Sequence, residues 1–361
     1  MSASGAHTRP SARRPEFGPA PPPRRRRRLR RRTRRIVAGA VAALVLVAAT
    51  VAVTLALDGD DTVTRAPASP VPAGAPAART IGTPIDVGDD PSAIVAGASV
   101  VWVASATGGR LSRIDPSLNV LDDVSIPVSG RANALFIAEN SIWVTDQDAG
   151  VVSRVSSNAW EVLERIPVGD GPSAIDATQQ AVWVVNRDDD TLVSIDPDTN
   201  RLTGRPIRVA EAPSGVGADE GEVWVASSGE DLVQKIDPDS RRVVASVRVG
   251  DHPTGLALSR GDVWVANQED GTLTRVDGAT ARRVATIRVG ERPAYPNVGE
   301  SVWVPNVGDG TVTRVDRRTN RVVGEPVRVG SSADRVALSV GRGVWVLSIA
   351  DGTVTRLEPN G

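Results

Sequence analysis

The chain has 361 residues and a formal net charge of −1, but this charge is distributed unevenly. Residues 1–35 contain thirteen Arg and a single acid, a net charge of +12, which leaves −13 for residues 36–361. An acidic main part argues against nucleic-acid binding, because phosphate neutralisation needs clustered basic charge. The chain has no Cys, which excludes disulfides, thiol catalysis, thiolate metal sites and Cys-linked lipid anchors.

The first predicted element is a transmembrane helix over residues 36–57. These residues carry no charge, and a helix of this length spans a hydrocarbon core of about 30 Å. Arg residues precede it and three Asp lie within residues 58–61, so a single-pass anchor with a cytoplasmic, disordered tail over 1–35 is predicted. A cleaved signal peptide is the alternative, although its apolar region is usually shorter, and residues 54–56 form a poor cleavage site.

Residues 58–78 are rich in Pro and Ala and are predicted to form an extended linker outside the membrane. The chain has one Lys, Lys235, and its basic residues are otherwise Arg, a bias typical of a GC-rich bacterial genome. We therefore expect a protein of the bacterial cell membrane whose globular part, residues 79–361, is extracytoplasmic.

A Trp recurs every 39–42 residues through this globular part, the mark of a repeat protein. The seven repeated residues are Trp102, Trp143, Trp183, Trp224, Trp264, Trp303 and Trp345. The copy at 249–288 contains four β-type runs separated by turn residues, at 254–258, 262–266, 272–276 and 283–289. Four antiparallel strands in about 40 residues make one propeller blade, so the sequence predicts an all-β, seven-bladed β-propeller. Inter-blade packing is the role expected for the repeated Trp side chains.

The last copy lacks its fourth strand, since it ends shortly after its third run at 353–357. The missing strand is found at the other end, where residues 79–88 read RTIGTPIDVG beside RVVGEPVRVG at 321–330. We therefore expect strand 79–88 to complete the last blade and close the ring, which removes open sheet edges.

The repeat resembles that of the YVTN-type β-propellers, relatives of the NHL and streptogramin-lyase-like propellers. The naming tetrapeptide falls on 143–146 (Trp-Val-Thr-Asp) and 264–267 (Trp-Val-Ala-Asn), with Trp in place of Tyr. Flanking Val-Gly-x-x-Pro and x-Val-x-x-Ile/Val-Asp elements also match, and the resemblance covers residues 79–361. It implies a seven-bladed fold and often a binding role at the cell surface or in the envelope, without fixing a ligand.

Enzymatic chemistry finds little support. The related streptogramin lyases use a His pair with acidic partners and Mg²⁺, whereas this globular part has one His, His252. There is no Gly-x-Ser-x-Gly elbow, phosphate loop or His-x-x-x-His spacing. Five loop acids precede the first strands and are expected to be solvated, a cation over the axis being the alternative: Asp89, Asp170, Glu211, Asp251 and Glu291. We assign no catalytic residue, metal ligand or cofactor.

The candidate binding site comes from positions where the copies differ. Two residues after the repeat Pro, blades one to five carry Ala or Gly, but blade six has Tyr295 and blade seven has Arg335. Tyr295 is followed by Pro296, which cannot donate to a strand ladder, and Arg335 is preceded by Asp334. Aligned positions place four further polar residues at the same mouth: Arg131, Asn133, His252 and Arg292.

This largely cationic patch with one aromatic ring suits an anionic or carbohydrate-like ligand or a peptide carboxylate. The alternative is local repacking, with Tyr295 filling space and Arg335 paired to Asp334. The sequence therefore predicts a monomeric, non-catalytic module that recognises a small polar ligand, cell-wall material or a protein partner. A lyase-like Mg²⁺ enzyme with a reduced site and a purely structural scaffold are the alternatives.

Overall fold

The computed structural model describes residues 74–360, apart from residues 129, 139, 220, 340 and 342. The predicted tail and transmembrane helix, and the predicted linker as far as residue 73, lie outside this part and stay predictions. Within the described part, no helix is long and apolar enough to cross a membrane.

The described chain forms thirty strands in seven separate antiparallel sheets, as the repeat predicts. Blades 1 and 2 consist of β2 (Pro91–Ala96), β3 (Val101–Ser105), β4 (Arg110–Asp115), β5 (Val120–Pro127), β6 (Ala132–Ala138), β7 (Ser141–Asp146), β8 (Val151–Ser156) and β9 (Val162–Pro167). Blades 3 and 4 consist of β10 (Pro172–Ala177), β11 (Val182–Asn186), β12 (Thr191–Asp196), β13 (Arg201–Leu202), β14 (Ile207–Arg208), β15 (Pro213–Asp219), β16 (Glu222–Ser227), β17 (Leu232–Asp237) and β18 (Arg242–Arg248).

Blades 5 and 6 consist of β19 (Pro253–Ser259), β20 (Asp262–Asn267), β21 (Thr272–Asp277), β22 (Arg282–Arg288), β23 (Asn297–Val298), β24 (Val302–Asn306), β25 (Thr311–Asp316), β26 (Arg321–Val322) and β27 (Val327–Arg328). Blade 7 consists of β28 (Arg335–Ser339), β29 (Gly343–Ser348), β30 (Thr353–Pro359) and β1 (Ala78–Asp86). The blade-5 strands agree with the predicted runs to within two residues.

The ring closes through β1, which pairs antiparallel with β30 in the register Arg79↔Glu358 and Ile85↔Val354. The predicted closing strand is thus confirmed, although it begins one residue earlier. Chain that the sequence places in the linker also joins the propeller: Ala77 and Ala78 are buried, and the Ala77 N–H donates to Glu325 O at 2.9 Å. The first strand of each blade packs against that of the next, including β28 against β2, so these inner strands surround a central channel.

The repeated Trp side chains are buried between blades, which confirms the packing role. In six of the seven described blades a basic side chain covers the Trp ring at 5.0–5.8 Å: Arg154 on Trp143, Arg241 on Trp183, Lys235 on Trp224, Arg275 on Trp264, Arg314 on Trp303 and Arg356 on Trp345. The same cation usually continues to a carbonyl in an adjacent blade, as in Arg275 Nη1 to Arg317 O at 3.1 Å. Each of these side chains therefore fastens two blades together.

Blade 1 departs from this arrangement, because its basic side chain, Arg113, covers Trp160 instead of the repeated Trp. Trp160 is the one Trp of the chain that lies outside the repeat series. Arg113 lies 4.9 Å from the ring centre of Trp160, which sits in the outer turn of blade 2 with a φ of 57°. The Trp160 Nε1–H donates to Ser157 O at 3.1 Å. Trp160 is 44% exposed, so it acts as a local cap on the turn with one open face.

Polar side chains at the start of the inner strands form a second set of inter-blade links. The Ser92 Oγ–H donates to Ala132 O at 2.6 Å, and the Ser173 Oγ–H donates to Pro213 O at 3.1 Å. The Thr254 Oγ1–H donates to Pro293 O at 3.2 Å. Blade 6 has Ala294 at this position, so the series is interrupted in one of the two blades that the sequence singles out.

Candidate functional site

A cavity of about 330 Å³ occupies the central channel and is lined by all seven inner strands. Most of its lining residues are Ala, Gly, Val, Ile and Leu. Tyr295, Arg335, Asn297 and Asp176 are the larger polar groups among the described lining residues. Cavities of this size and composition with a few polar groups are typical of small-molecule sites.

Tyr295 and Arg335 are brought together across the boundary between blades 6 and 7. The guanidinium carbon of Arg335 lies 3.2 Å from the centre of the Tyr295 ring, so the two planes stack. The Arg335 Nε lies 3.5 Å from Ser92 O, at the outer limit of a hydrogen bond. Among the described residues, no oxygen is paired with the two terminal nitrogens of Arg335. Donors held in a fixed plane without partners are suited to binding an anion.

The local backbone explains why Tyr295 can enter the channel. Pro296 and the facing Pro305 both lack an N–H, so the inner strand of blade 6 is reduced to β23 and one isolated bridge, Pro293↔Asn306. Room for the ring is provided by Gly255, where a Cβ would lie 2.7 Å from Tyr295 Cδ1. The aromatic side chain therefore needs both an interrupted ladder and a Gly in the preceding blade.

Asp334 does not neutralise Arg335, contrary to the repacking alternative. Its Oδ2 accepts from the Ile349 N–H at 2.8 Å and from the Ser332 hydroxyl. The four ion pairs found among the described residues do not include Arg335. Asp334 thus supports the loop of its own blade, and the charge of Arg335 is left for the cavity.

The other predicted site residues lie outside the cavity lining. Asn133 belongs to the inter-blade links, since its Nδ2 donates to Ser173 O at 3.1 Å. His252 and Arg292 occupy left-handed turn positions before the inner strands, with φ of 54° and 51°. Arg131 is exposed at a separate rim recess beside Asp148. The seven predicted residues therefore do not form one patch. Two of them stack in the cavity, one links two blades, one supports a loop, and three lie at the rim.

Asp176 was missed by the sequence reasoning, which compared positions two residues after the repeat Pro. Asp176 lies four residues after Pro172 on β10, where the other described blades carry Val95, Phe136, Gly217, Ala257, Asn297 and Ala337. Each strand residue advances about 3.3 Å, so Asp176 lies about 7 Å deeper along the channel than the Arg335 level. The sequence signal for Asp176 is an acid at an inner-strand position where five of the other blades carry an apolar residue or Gly.

The Asp176 carboxyl group is fixed by two backbone donors. The Ala218 N–H donates to its Oδ2 at 2.9 Å, and the Ala177 N–H donates to its Oδ1 at 2.8 Å. Burial raises the pKa of this carboxyl to about 7, while the two hydrogen bonds act in the opposite direction and Asp219 adds to the increase. Asp176 therefore changes charge near neutral pH.

Mg²⁺, which the lyase-like alternative would need, does not fit these residues. The cavity wall contains one carboxylate and no His, and the described residues contain no cluster of three or more His, Cys, Asp or Glu that could hold a metal. The five loop acids at the rim are all exposed, so each is placed for contact with solvent.

Comparison with solved structures supports the fold. The virginiamycin B lyase of Staphylococcus aureus matches with a TM-score of 0.65 and 14% identity, over 75% of this chain and 95% of that chain. A catalytically inactive His-to-Ala variant of that lyase, with quinupristin, matches with a TM-score of 0.64 and 14% identity over 78% and 98%. A chain from hydrazine synthase of Kuenenia stuttgartiensis matches with a TM-score of 0.66 and 16% identity over 75% and 96%.

No family model matches the sequence, and no curated protein matches it. The fold and the cavity define this chain as a seven-bladed β-propeller with neighbours of the streptogramin B lyase type. Because these neighbours are only 14–16% identical, their likeness shows the fold and leaves the function to the residues of the channel.

Proposed function

We propose that the propeller is a non-catalytic binding module that holds a small polar ligand in its central cavity, with an anionic group of the ligand on Arg335. One observation carries this proposal: Arg335 is stacked on Tyr295 inside the cavity, and its terminal nitrogens have no partner among the described residues. Stacking reduces the freedom of the guanidinium before a ligand arrives, so less conformational entropy is lost on binding.

We also propose that the cavity lies on the outer side of the bacterial membrane. A YVTN-type propeller anchored by residues 36–57 would present this cavity outside the bacterial membrane, to solutes or to fragments of the cell wall. A cavity of about 330 Å³ suits a small molecule or the terminal group of a larger one. Recognition of a whole protein surface receives less support, because the polar groups face inward.

A lyase-like reaction is the second candidate, and the fold likeness is what favours it. The S. aureus lyase loses activity when a His is replaced by Ala. The one His of this propeller, His252, lies outside the cavity lining, and its backbone N–H is held by Asp231 at 2.9 Å. We therefore place binding ahead of catalysis.

The test is a thermal-shift and calorimetric screen of the purified full-length chain against small carboxylates, sugar phosphates and peptidoglycan fragments. Arg335→Gln should abolish the response to an anionic ligand, and Tyr295→Ala should weaken it, whereas Tyr295→Phe should keep it because the ring remains. Arg131→Gln is the matched control, since this cation is exposed and lies outside the cavity. Binding that survives Arg335→Gln but is lost in Arg131→Gln would place the site at the rim and overturn the proposal.

A further inference from the structure

The central cavity has polar groups of opposite charge on opposite sides. Arg335 projects from blade 7 and Asp176 from blade 3, so two blades lie between them in one direction around the ring and three in the other. Both line the same cavity, and Asp176 lies at the deeper level. A ligand held by Arg335 near the entrance therefore extends toward a carboxyl group.

Asp176 is presented to this cavity in a fixed orientation. Its two oxygens accept from the Ala177 and Ala218 N–H groups, and each carboxylate oxygen keeps a second lone pair for a further donor. No described basic side chain forms an ion pair with it. An ionised carboxylate in an apolar wall is costly without a cationic partner, so an incoming ammonium group would be bound strongly.

The fold itself does not require an acid at this position. Five of the other six blades carry an apolar residue or Gly there, and blade 6 carries Asn297, whose Nδ2 donates to Val336 O at 3.2 Å. Asn297 and Asp176 both link neighbouring blades, since Asp176 Oδ2 accepts from the Ala218 N–H of blade 4. Asp176 differs from Asn297 in that its side chain can carry a charge. No described basic side chain pairs with this carboxyl group, which leaves it available to a cationic group that enters the channel.

The charged residues at the rim also affect which ligands can enter the cavity. The loops that lead into the inner strands carry five exposed acids: Asp89, Asp170, Glu211, Asp251 and Glu291. These acids outnumber Arg131 and Arg292, the exposed cations among the predicted site residues at this rim, so the rim favours a ligand that carries a positive group as well as an anionic one. Entry and binding therefore favour the same class of molecule.

We propose that the ligand is a small zwitterion, with its carboxylate or phosphate on Arg335 and Tyr295 and its protonated amine on Asp176. Amino acids and short peptides with a free amino terminus have this chemistry, and so do aminoalkyl phosphates. The inference rests on the proposed binding function and specifies its ligand class.

The test uses calorimetry on the full-length chain with four probes: Ala-Ala, N-acetyl-Ala-Ala, Ala-Ala amide and phosphoethanolamine. Ala-Ala should bind at least about tenfold more tightly than its acetylated form, which lacks the charged amine, and more tightly than the amide, which lacks the carboxylate. Tighter binding of phosphoethanolamine than of Ala-Ala would identify a phosphate as the anionic group.

Asp176→Asn should remove the preference for the free amine and leave the affinity for N-acetyl-Ala-Ala nearly unchanged, which also shows that the cavity is intact. Asp176→Ala serves as a second variant if the first is poorly folded, and Asp251→Asn is the rim control. Equal binding of Ala-Ala and its acetylated form by the unmodified protein overturns the zwitterion and leaves Arg335 as an anion site. Failure of all anionic probes, in contrast, overturns the proposed function itself.

Discussion

Arg356 of the last blade donates from Nη1 to the carbonyl of Pro116 in the first blade, at 2.8 Å. The same guanidinium lies 5.3 Å from the ring centre of Trp345. This side chain therefore joins the two ends of the ring through a contact that is independent of the β1–β30 pairing. Its counterparts in blades 2, 5 and 6 make the same type of contact with the blade that follows.

Arg356→Ala is expected to lower the free energy of unfolding by about 1–2 kcal/mol, because it removes a half-buried cation–π contact and an inter-blade hydrogen bond. Urea unfolding measures this change. Arg79→Ala is the control, since Arg79 pairs with Glu358 on the exposed edge and should cost under about 1 kcal/mol. Equal losses of stability in the two variants would contradict a stabilising role of Arg356 between blades 7 and 1.

Gly255→Ala is expected to displace Tyr295 and to destabilise the chain by about 1–3 kcal/mol, because the new Cβ would lie 2.7 Å from Tyr295 Cδ1 and 3.0 Å from its Cα. The chain has a single Tyr, so incorporated fluorotyrosine gives one ¹⁹F resonance that reports on this site alone. Gly97→Ala should leave that resonance unchanged, since its Cβ would meet neighbours at an ordinary 3.5 Å. An unshifted signal in Gly255→Ala would refute the packing argument.

The pH dependence of stability should reveal Asp176. Its pKa is raised to about 7 in the folded state, whereas an unfolded Asp titrates near 3.9, so the unfolded state loses its proton first as the pH rises. This group therefore favours folding most below about pH 4, and its contribution declines through pH 7. Asp176→Asn removes this term, so the stability of the variant relative to the unmodified chain should increase between pH 4 and 7. A difference that does not vary over this range would show that the carboxyl titrates normally.

The two kinds of Trp should respond very differently to truncation. Trp264→Ala empties a fully buried inter-blade position and is expected to cost about 3–5 kcal/mol. Trp160→Ala removes a side chain that is 44% exposed and stacked only by Arg113, with an expected cost of about 0.5–1 kcal/mol. Chemical denaturation of both variants measures the contrast, and a comparable loss at Trp160 would mean that it packs as part of the core.

The scaffold was predictable because each blade repeats the same local pattern. A continuous apolar run around each Trp and the turn residues between the runs occur seven times, and the strand missing at one end is present at the other. The stacking of Tyr295 on Arg335 was harder to predict, since it depends on two prolines and a Gly in different blades. The repacking alternative paired Arg335 with its neighbour Asp334, yet Asp334 accepts from the Ile349 N–H instead.

Asp176 shows why the channel wall could not be predicted completely. Which inner-strand residues face the axis depends on how neighbouring blades pack and twist, and that information is not local to one repeat. The comparison of one aligned position therefore found the upper level of the cavity and missed the lower one. Comparing every inner-strand position across the seven copies would have identified both Asp176 and Asn297.

The pairing of β1 with β30 also has a consequence for synthesis. Arg79 and Glu358, which face each other in this pair, are 279 residues apart, so β1 finds its partner only after the strands of all the other blades have been synthesised. Until then the stack of blades has an exposed sheet edge at each end, open to association with other chains. A product that stops before β30 keeps these edges, so the synthesis of β30 is the step that protects the protein from aggregation.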